Sequence, residues 1–282
     1  MIIVVICGLL AVLGLVGVAR WGGTDFHAPP SDGEASPPTA GDVARRYLRS
    51  VTLAIGSGVG AGLLVSGPGG RLAMRLLAAT AGDAAQGRET EAEEIVGRIT
   101  ASGTISFVLF TALFFGAATG ALYLVIRRWL PAGRLGGLAF GMLLLVLAAT
   151  RIDPLRSDNP DFDIVGPGWV ALVVFGAVVI FHGMLVAAIA GRYSLVLQLP
   201  SWNVRSMAPY APLLLMLPVF PVFVLVAAVG AVVVLVSRLR PLVDFLRSAA
   251  ARTAGRVGLA VISLVALPGT VAAIADIAGR GP

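Results

Sequence analysis

Residues 222–236 read Val-Phe-Val-Leu-Val-Ala-Ala-Val-Gly-Ala-Val-Val-Val-Leu-Val, apolar on every side and without a charge. A strand of a transmembrane barrel would alternate between lipid-facing and lumen-facing residues. A surface helix of a soluble domain would carry a polar face. A helix in lipid needs neither, because its backbone is satisfied within the segment. Working outward, apolar stretches of this kind fall at 1–19, 48–66, 104–126, 135–150, 168–190, 211–237 and 257–279. A run of about 18 apolar residues crosses a bilayer. The expected fold is therefore all-α: a polytopic transmembrane helix bundle of about seven spans, with short amphipathic interfacial helices.

Composition agrees. Hydrophobic residues make up 57% and charged residues 13% of the 282, and mean hydropathy is +0.92. A soluble fold could not cover that much apolar surface with so few charges. The net charge is +6, and every basic residue is Arg. These Arg residues cluster at the ends of apolar runs, the pattern of topology signals and of side chains reaching the interface. No basic stripe with interleaved aromatics is present, so nucleic acid is not an expected partner. The Arg-only, Ala- and Gly-rich usage points to a bacterial chain, hence to the plasma (inner) membrane. Cys7 is the single cysteine, which excludes an internal disulfide and a thiolate metal cluster.

Four regions are expected. Residues 1–19 form an N-terminal transmembrane anchor: the first Arg, Arg20, follows the apolar run, unlike a cleavable signal. Residues 20–42 form a disordered, Pro-rich tether. Residues 43–190 form a Gly-packed core of four spans, opened by Asp42 as a helix cap. Residues 191–282 form a C-terminal membrane segment with two spans and a basic amphipathic connection at 238–256. Arg20, Arg45, Arg46, Arg49, Arg127, Arg128 and Arg134 place the tether and the 127–134 connection in the cytoplasm. The N-terminus and the acidic segments 83–94 and 153–163 then fall outside. Seven simple crossings would put 238–256 outside too, against its five Arg residues; a re-entrant segment at Pro218 and Pro221 would return it to the cytoplasm.

Glycines recur four residues apart: Gly56/Gly60, Gly58/Gly62, Gly116/Gly120 and Gly133/Gly137/Gly141, with Gly183/Ala187/Gly191 repeating the pattern. Such spacing lets helix backbones approach closely, within the chain or across a homo-oligomer.

Candidate sites are few. Gly67-Pro68-Gly69-Gly70 is expected to break the second helix and expose N–H groups beside Arg71 and Arg75, a candidate site for an anion or lipid headgroup. The alternative is a kinked helix whose arginines pair with acidic loops. Thr90-Glu91-Ala92-Glu93 reads as a capping box opening a short amphipathic helix to Ile99. Asp153, Asp158, Asn159, Asp161 and Asp163 offer oxygen ligands for a divalent cation or contacts for a partner, although the EF-hand register fails at Pro160. His182 lies inside the fifth span, where ionisable groups are often functional. Asp276 and Arg280 have helix-end ion-pair spacing. Ser57 with His182 would be a serine–base pair on intramembrane-hydrolase lines. Neither a His-Glu-x-x-His motif nor a Gly-x-Ser-x-Gly elbow occurs, so no catalytic residue, metal or cofactor is assigned.

Three segments, Gly69-Gly-Arg-Leu-Ala-Met-Arg75, Arg127-Arg-Trp-Leu-Pro131 and Asn159-Pro-Asp-Phe162, resemble a family of uncharacterised multi-pass membrane proteins of actinobacteria and related bacteria. The resemblance spans roughly residues 50–190 and implies topology without an activity. The functional expectation is a non-enzymatic membrane protein of structural, assembly or anionic-lipid-interacting type. A small-solute permease and an intramembrane hydrolase are the alternatives.

Overall fold

Uncharged runs of Leu, Val, Ala and Gly close their own hydrogen bonds as helices, and they do so here. The computed structural model describes residues 2–29, 39–201, 203–216, 220–236, 239, 244–246 and 248–281. Its main helices are α1 (Ile2–Trp21), α2 (Ala40–Thr80), α3 (Ala101–Trp129), α4 (Arg134–Ala149) and α5 (Gly168–Val196). A 3-10 segment (Ala208–Met216), α6 (Phe220–Val236) and α7 (Ala249–Ala278) follow. No strand occurs among the described residues; Glu89 and Ile95 form an isolated antiparallel bridge. Among the described residues, five helices, α1, α2, α3, α5 and α7, are long and apolar enough to cross a membrane, against about seven expected spans.

Helix α2 is the axis of the bundle. Thr39 caps it, accepting the Asp42 N–H at 3.2 Å, while the Asp42 carboxylate accepts the Thr39 N–H at 3.0 Å. Asp42 is thus the returning partner of a capping box, not the cap. The expected break at Gly67-Pro68-Gly69-Gly70 does not occur. A π turn at Gly62–Ser66 widens the hydrogen-bond ladder just before Pro68, so the missing proline N–H falls where the register already changes. The helix continues to Thr80. Its glycines there serve neighbours: Gly67 lies against Val108 and Gly69 against Val178.

Backbone contact explains the glycine pattern. A methyl on Gly58 would sit 1.8 Å from the Gly116 carbonyl oxygen, and one on Gly120 2.0 Å from the Ala54 oxygen. Gly56 faces Tyr193 and Gly60 faces Ile189, so both glycine faces of α2 are used within the chain. Helix α1 joins the same bundle, with Val18 packed among Ala61, Val65, Leu185 and Val186. Of the expected tether, residues 30–38 lie outside the described residues.

One end of the bundle gathers the Arg-rich segments. Arg134 donates to the Ala19 carbonyl at 2.9 Å and Arg128 to Leu246 at 2.9 Å. Buried Arg49 donates to the carbonyls of Leu197 (2.7 Å), Ser194 (2.7 Å) and His27 (3.1 Å), fastening the end of α5. The opposite end gathers the acidic segments. There Arg280 lies 3.1 Å from Asp276 and 3.7 Å from Asp163.

The sixth apolar run starts and finishes at the Arg-rich end. Tyr210 donates to the Gln198 carbonyl at 2.7 Å, and Met216 packs deeper, with Ile55, Val59 and Ala112. Helix α6 brings Gly230 back against Tyr47, and Leu246 meets Arg128. Pro221 stands in the first turn of α6, a position where its missing N–H costs nothing; Pro218 lies outside the described residues. Residues 249–256, expected in an interfacial helix, are the opening turns of α7, capped by Ser248 (3.1 Å to the Ala251 N–H). Arg238, Arg240, Leu242, Val243 and Arg247 of that expected helix lie outside the described residues.

Overpacking a tight contact costs about 1–3 kcal/mol or more. Gly58→Ala is therefore expected to lower the melting temperature of the purified protein by several degrees. Gly176→Ala, where nothing lies within 4 Å, should leave it unchanged or slightly raised. Differential scanning fluorimetry compares the two.

Candidate functional site

At the acidic end, a cavity of about 490 Å³ opens between α1, α2 and α3. Helix periodicity builds its walls. Ile3, Val4 and Cys7 share a face of α1; Arg71, Met74, Arg75 and Ala78 share a face of α2; Gly103, Thr104, Phe107 and Phe110 share a face of α3. Residues 90–100 and the loop containing Asp153, Asn159 and Asp161 complete the lining. The lining includes the apolar side chains of Leu72, Phe107, Phe110, Phe162 and Phe175 as well as charged ones.

The roof is not the expected helix. Residues 87–96 fold as a small hairpin, with Gly87 N–H on the Val96 carbonyl (3.1 Å) and Val96 N–H on Arg88 (2.9 Å). Thr90 accepts the Glu94 N–H at 3.2 Å, one residue beyond the Glu93 N–H that a helix cap would serve. Glu93 also takes a positive φ of 58° and Gly97 one of 87°, which end any helix there. Long-range contacts hold this form. The Glu91 N–H donates to Asp161 Oδ1 at 2.8 Å, the Glu91 carboxylate pairs with Arg156, and Glu94 lies 3.6 Å from Arg71.

The two sequence-derived groups thus meet in one place. Arg71 donates to the Gly103 carbonyl and stacks over Phe107 at 4.7 Å; its Nε is buried without a partner. Arg75 is exposed, with only a 3.5 Å contact to the Gly97 carbonyl. Neither Arg75 nor Arg98 has a carboxylate within ion-pair distance among the described residues. Gly69 and Gly70 do not join the rim: they are buried inside α2, against Val178 and Phe107, with no helix start to expose their N–H groups. Asp158 turns to Arg156 at 3.1 Å and Asp163 to Arg280. Asn159 accepts the Asp161 N–H at 2.8 Å. Among the described residues, no group of three or more His, Cys, Asp and Glu is placed to hold a metal ion.

Asp153 is open to solvent yet recessed among surrounding protein atoms. Burial holds its carboxyl above the usual range; Arg156 opposes this, while Glu91 and Asp161 add to it. The cavity also takes in residues that no local signal marks: Glu94 and Arg98, within the stretch expected as a short amphipathic helix, and the aromatic residues Phe107 and Phe110. Arg49 was also missed as a buried group, since nothing local separates it from Arg45 and Arg46.

At mid-depth, His182 is buried and its Nε2 lies 2.8 Å from the Thr119 hydroxyl, which also donates to the Gly116 carbonyl at 2.9 Å. Its Nδ1 makes no hydrogen bond of ordinary geometry, although the Ala61 carbonyl bears on the ring. Ser57 donates to the Leu53 carbonyl at 2.6 Å, within its own helix. The Ser57–His182 hydrogen bond that a hydrolase would use is absent. No family model, curated protein or solved structure matches this chain, so its GGRLAMR, RRWLP and NPDF resemblance rests on those residues alone.

The sign of the Asp153 effect is testable. A carboxyl raised in the folded state is protonated in both states at low pH and costs stability as pH rises from its ordinary value of 3.8 through the folded value. Asp153→Asn should therefore melt higher than wild type at pH 7, with the difference fading toward pH 3–4.

Proposed function

We propose that this protein is a non-enzymatic, multi-pass plasma-membrane protein that binds a phosphate-bearing lipid in the cavity between α1, α2 and α3. The carrying observation is a cavity whose lining joins apolar side chains to the exposed Arg75 and Arg98, neither engaged by a carboxylate among the described residues. An amphiphile fits such a lining: chains against Phe107 and Phe110, a phosphate at the guanidinium groups. Depth supports it. Arg71 lies 22 positions after Arg49 in α2, a rise of about 33 Å, close to the roughly 30 Å hydrocarbon thickness. Arg71 and Arg75 then stand at headgroup level on the side opposite Arg49.

The proposed topology has six crossings, with the described residues between 208 and 246 forming a re-entrant excursion from the Arg-rich end. That end is assigned to the cytoplasm by its arginines. Residues 20–29, 127–134, 246 and 248–256 share it. The N-terminus, the cavity and the C-terminus face outward. In this scheme the described Arg252 and Arg256 no longer violate the orientation rule.

Native mass spectrometry of the purified protein tests the binding. Wild type should carry phospholipid adducts through mild delipidation. Arg75→Ala/Arg98→Ala should lose them at least tenfold while melting normally, since both side chains are exposed. Equal adducts in both would refute the proposal. For the topology, Phe245→Cys in a Cys7→Ala background should react with an impermeant maleimide in inverted vesicles and stay unlabelled in intact cells. Labelling in intact cells would refute the re-entrant arrangement.

A further inference from the structure

The cavity lining carries both signs of charge. Arg75 and Arg98 lie at the base of the hairpin, where Arg75 meets Gly97, beside Arg71 with its Gly103 contact. Asp153 and Asp161 line the same cavity from the α4–α5 loop, and Asp161 is joined to the hairpin through the Glu91 N–H. Neither Asp153 nor Asp161 has a cation within ion-pair distance among the described residues. Arg156 of that loop is taken by Glu91 and Asp158.

We infer that the bound headgroup carries both charges: a phosphate diester of an amine-bearing alcohol, of the phosphoethanolamine type. Its phosphate takes Arg75 and Arg98, and its ammonium takes Asp153 and Asp161. This rests on the lipid-binding reading above and narrows it.

Two arguments favour an amine over the other occupants of an acidic recess. A divalent cation needs several oxygens converging on one point at about 2.0–2.6 Å, and the described acidic residues do not converge so. An ammonium has three separate N–H donors and can reach carboxylates that stand apart. A headgroup with negative charge alone would bring that charge toward Asp153, where Glu91 and Asp161 already disfavour another anion. The recess also keeps the charge partly out of water, which strengthens a matched ion pair.

The experiment is a competition. Delipidated full-length protein is given equimolar phosphatidylethanolamine and phosphatidylglycerol with identical acyl chains, and adducts are counted by native mass spectrometry. Wild type should favour phosphatidylethanolamine by about tenfold. Asp153→Asn/Asp161→Asn should bring the ratio near one; each Asn keeps an Oδ1 acceptor, so the Glu91 contact survives. Phosphatidylcholine, whose quaternary amine has no N–H, should compete less well than phosphatidylethanolamine. Parity or phosphatidylglycerol preference in wild type, or a ratio unmoved by the double variant, would overturn the inference while leaving lipid binding intact. Adducts of neither lipid would overturn the lipid-binding reading itself, and this inference with it.

Discussion

Backbone-to-backbone contact between α2 and α3 is the constraint on which the other features depend. Apolar side chains gain nothing from leaving lipid for one another, so helices in a membrane associate through close packing. Gly58, Gly116 and Gly120 bring two backbones within reach of each other, and Gly141 and Gly183 do the same for α4 and α5. Facing π turns at Gly62–Ser66 and Thr111–Gly116 belong to the same contact, with Gly62 directly against Ala112. Once α2 is fixed, its length sets the rest. Forty-one residues rise about 60 Å, roughly twice the hydrocarbon core, so α2 must tilt or project. Its final turns carry Arg71 and Arg75 to the level where α1 and α3 diverge enough to leave a cavity.

Charge then decides what the polar ends do. At the Arg-rich end, Arg49 turns inward and satisfies carbonyls at the end of α5 that have no helical partner. Breaking that contact would leave buried acceptors unpaired, which costs about 1–3 kcal/mol each. At the acidic end, Arg156 and Arg280 neutralise Glu91, Asp158, Asp163 and Asp276. Asp153 and Asp161, like Arg75 and Arg98, line the cavity without an ion-pair partner among the described residues.

Local sequence was informative where local physics decides. The helical class, the apolar runs, the helix-end pair Asp276–Arg280 and the role of Gly spacing were readable from composition and period. It was uninformative where distant contacts override local preference. Thr90 to Glu94 carries cap chemistry, yet Asp161, Arg156 and Arg71 pull its groups into a hairpin. Gly67 to Gly70 looks like a helix breaker, but the π turn before Pro68 and the packing of Val108, Val178 and Phe107 make those residues continuous with α2. The sixth apolar run is long enough to cross, and only its contacts with Gln198, Tyr47 and Arg128 show that both its ends lie together. Arg71, Arg75, Asp153 and Asp161 could each be singled out by type; that they share one cavity depends on the fold.

The account stands on that cavity holding a lipid. A cryo-electron microscopy structure of the full-length protein in nanodiscs of mixed phosphatidylethanolamine and phosphatidylglycerol reads this out directly. It should show continuous density for an acyl chain along Phe107 and Phe110, ending in a headgroup between Arg75 and Asp153. A cavity collapsed shut, or filled with ordered water and no chain density, would contradict it.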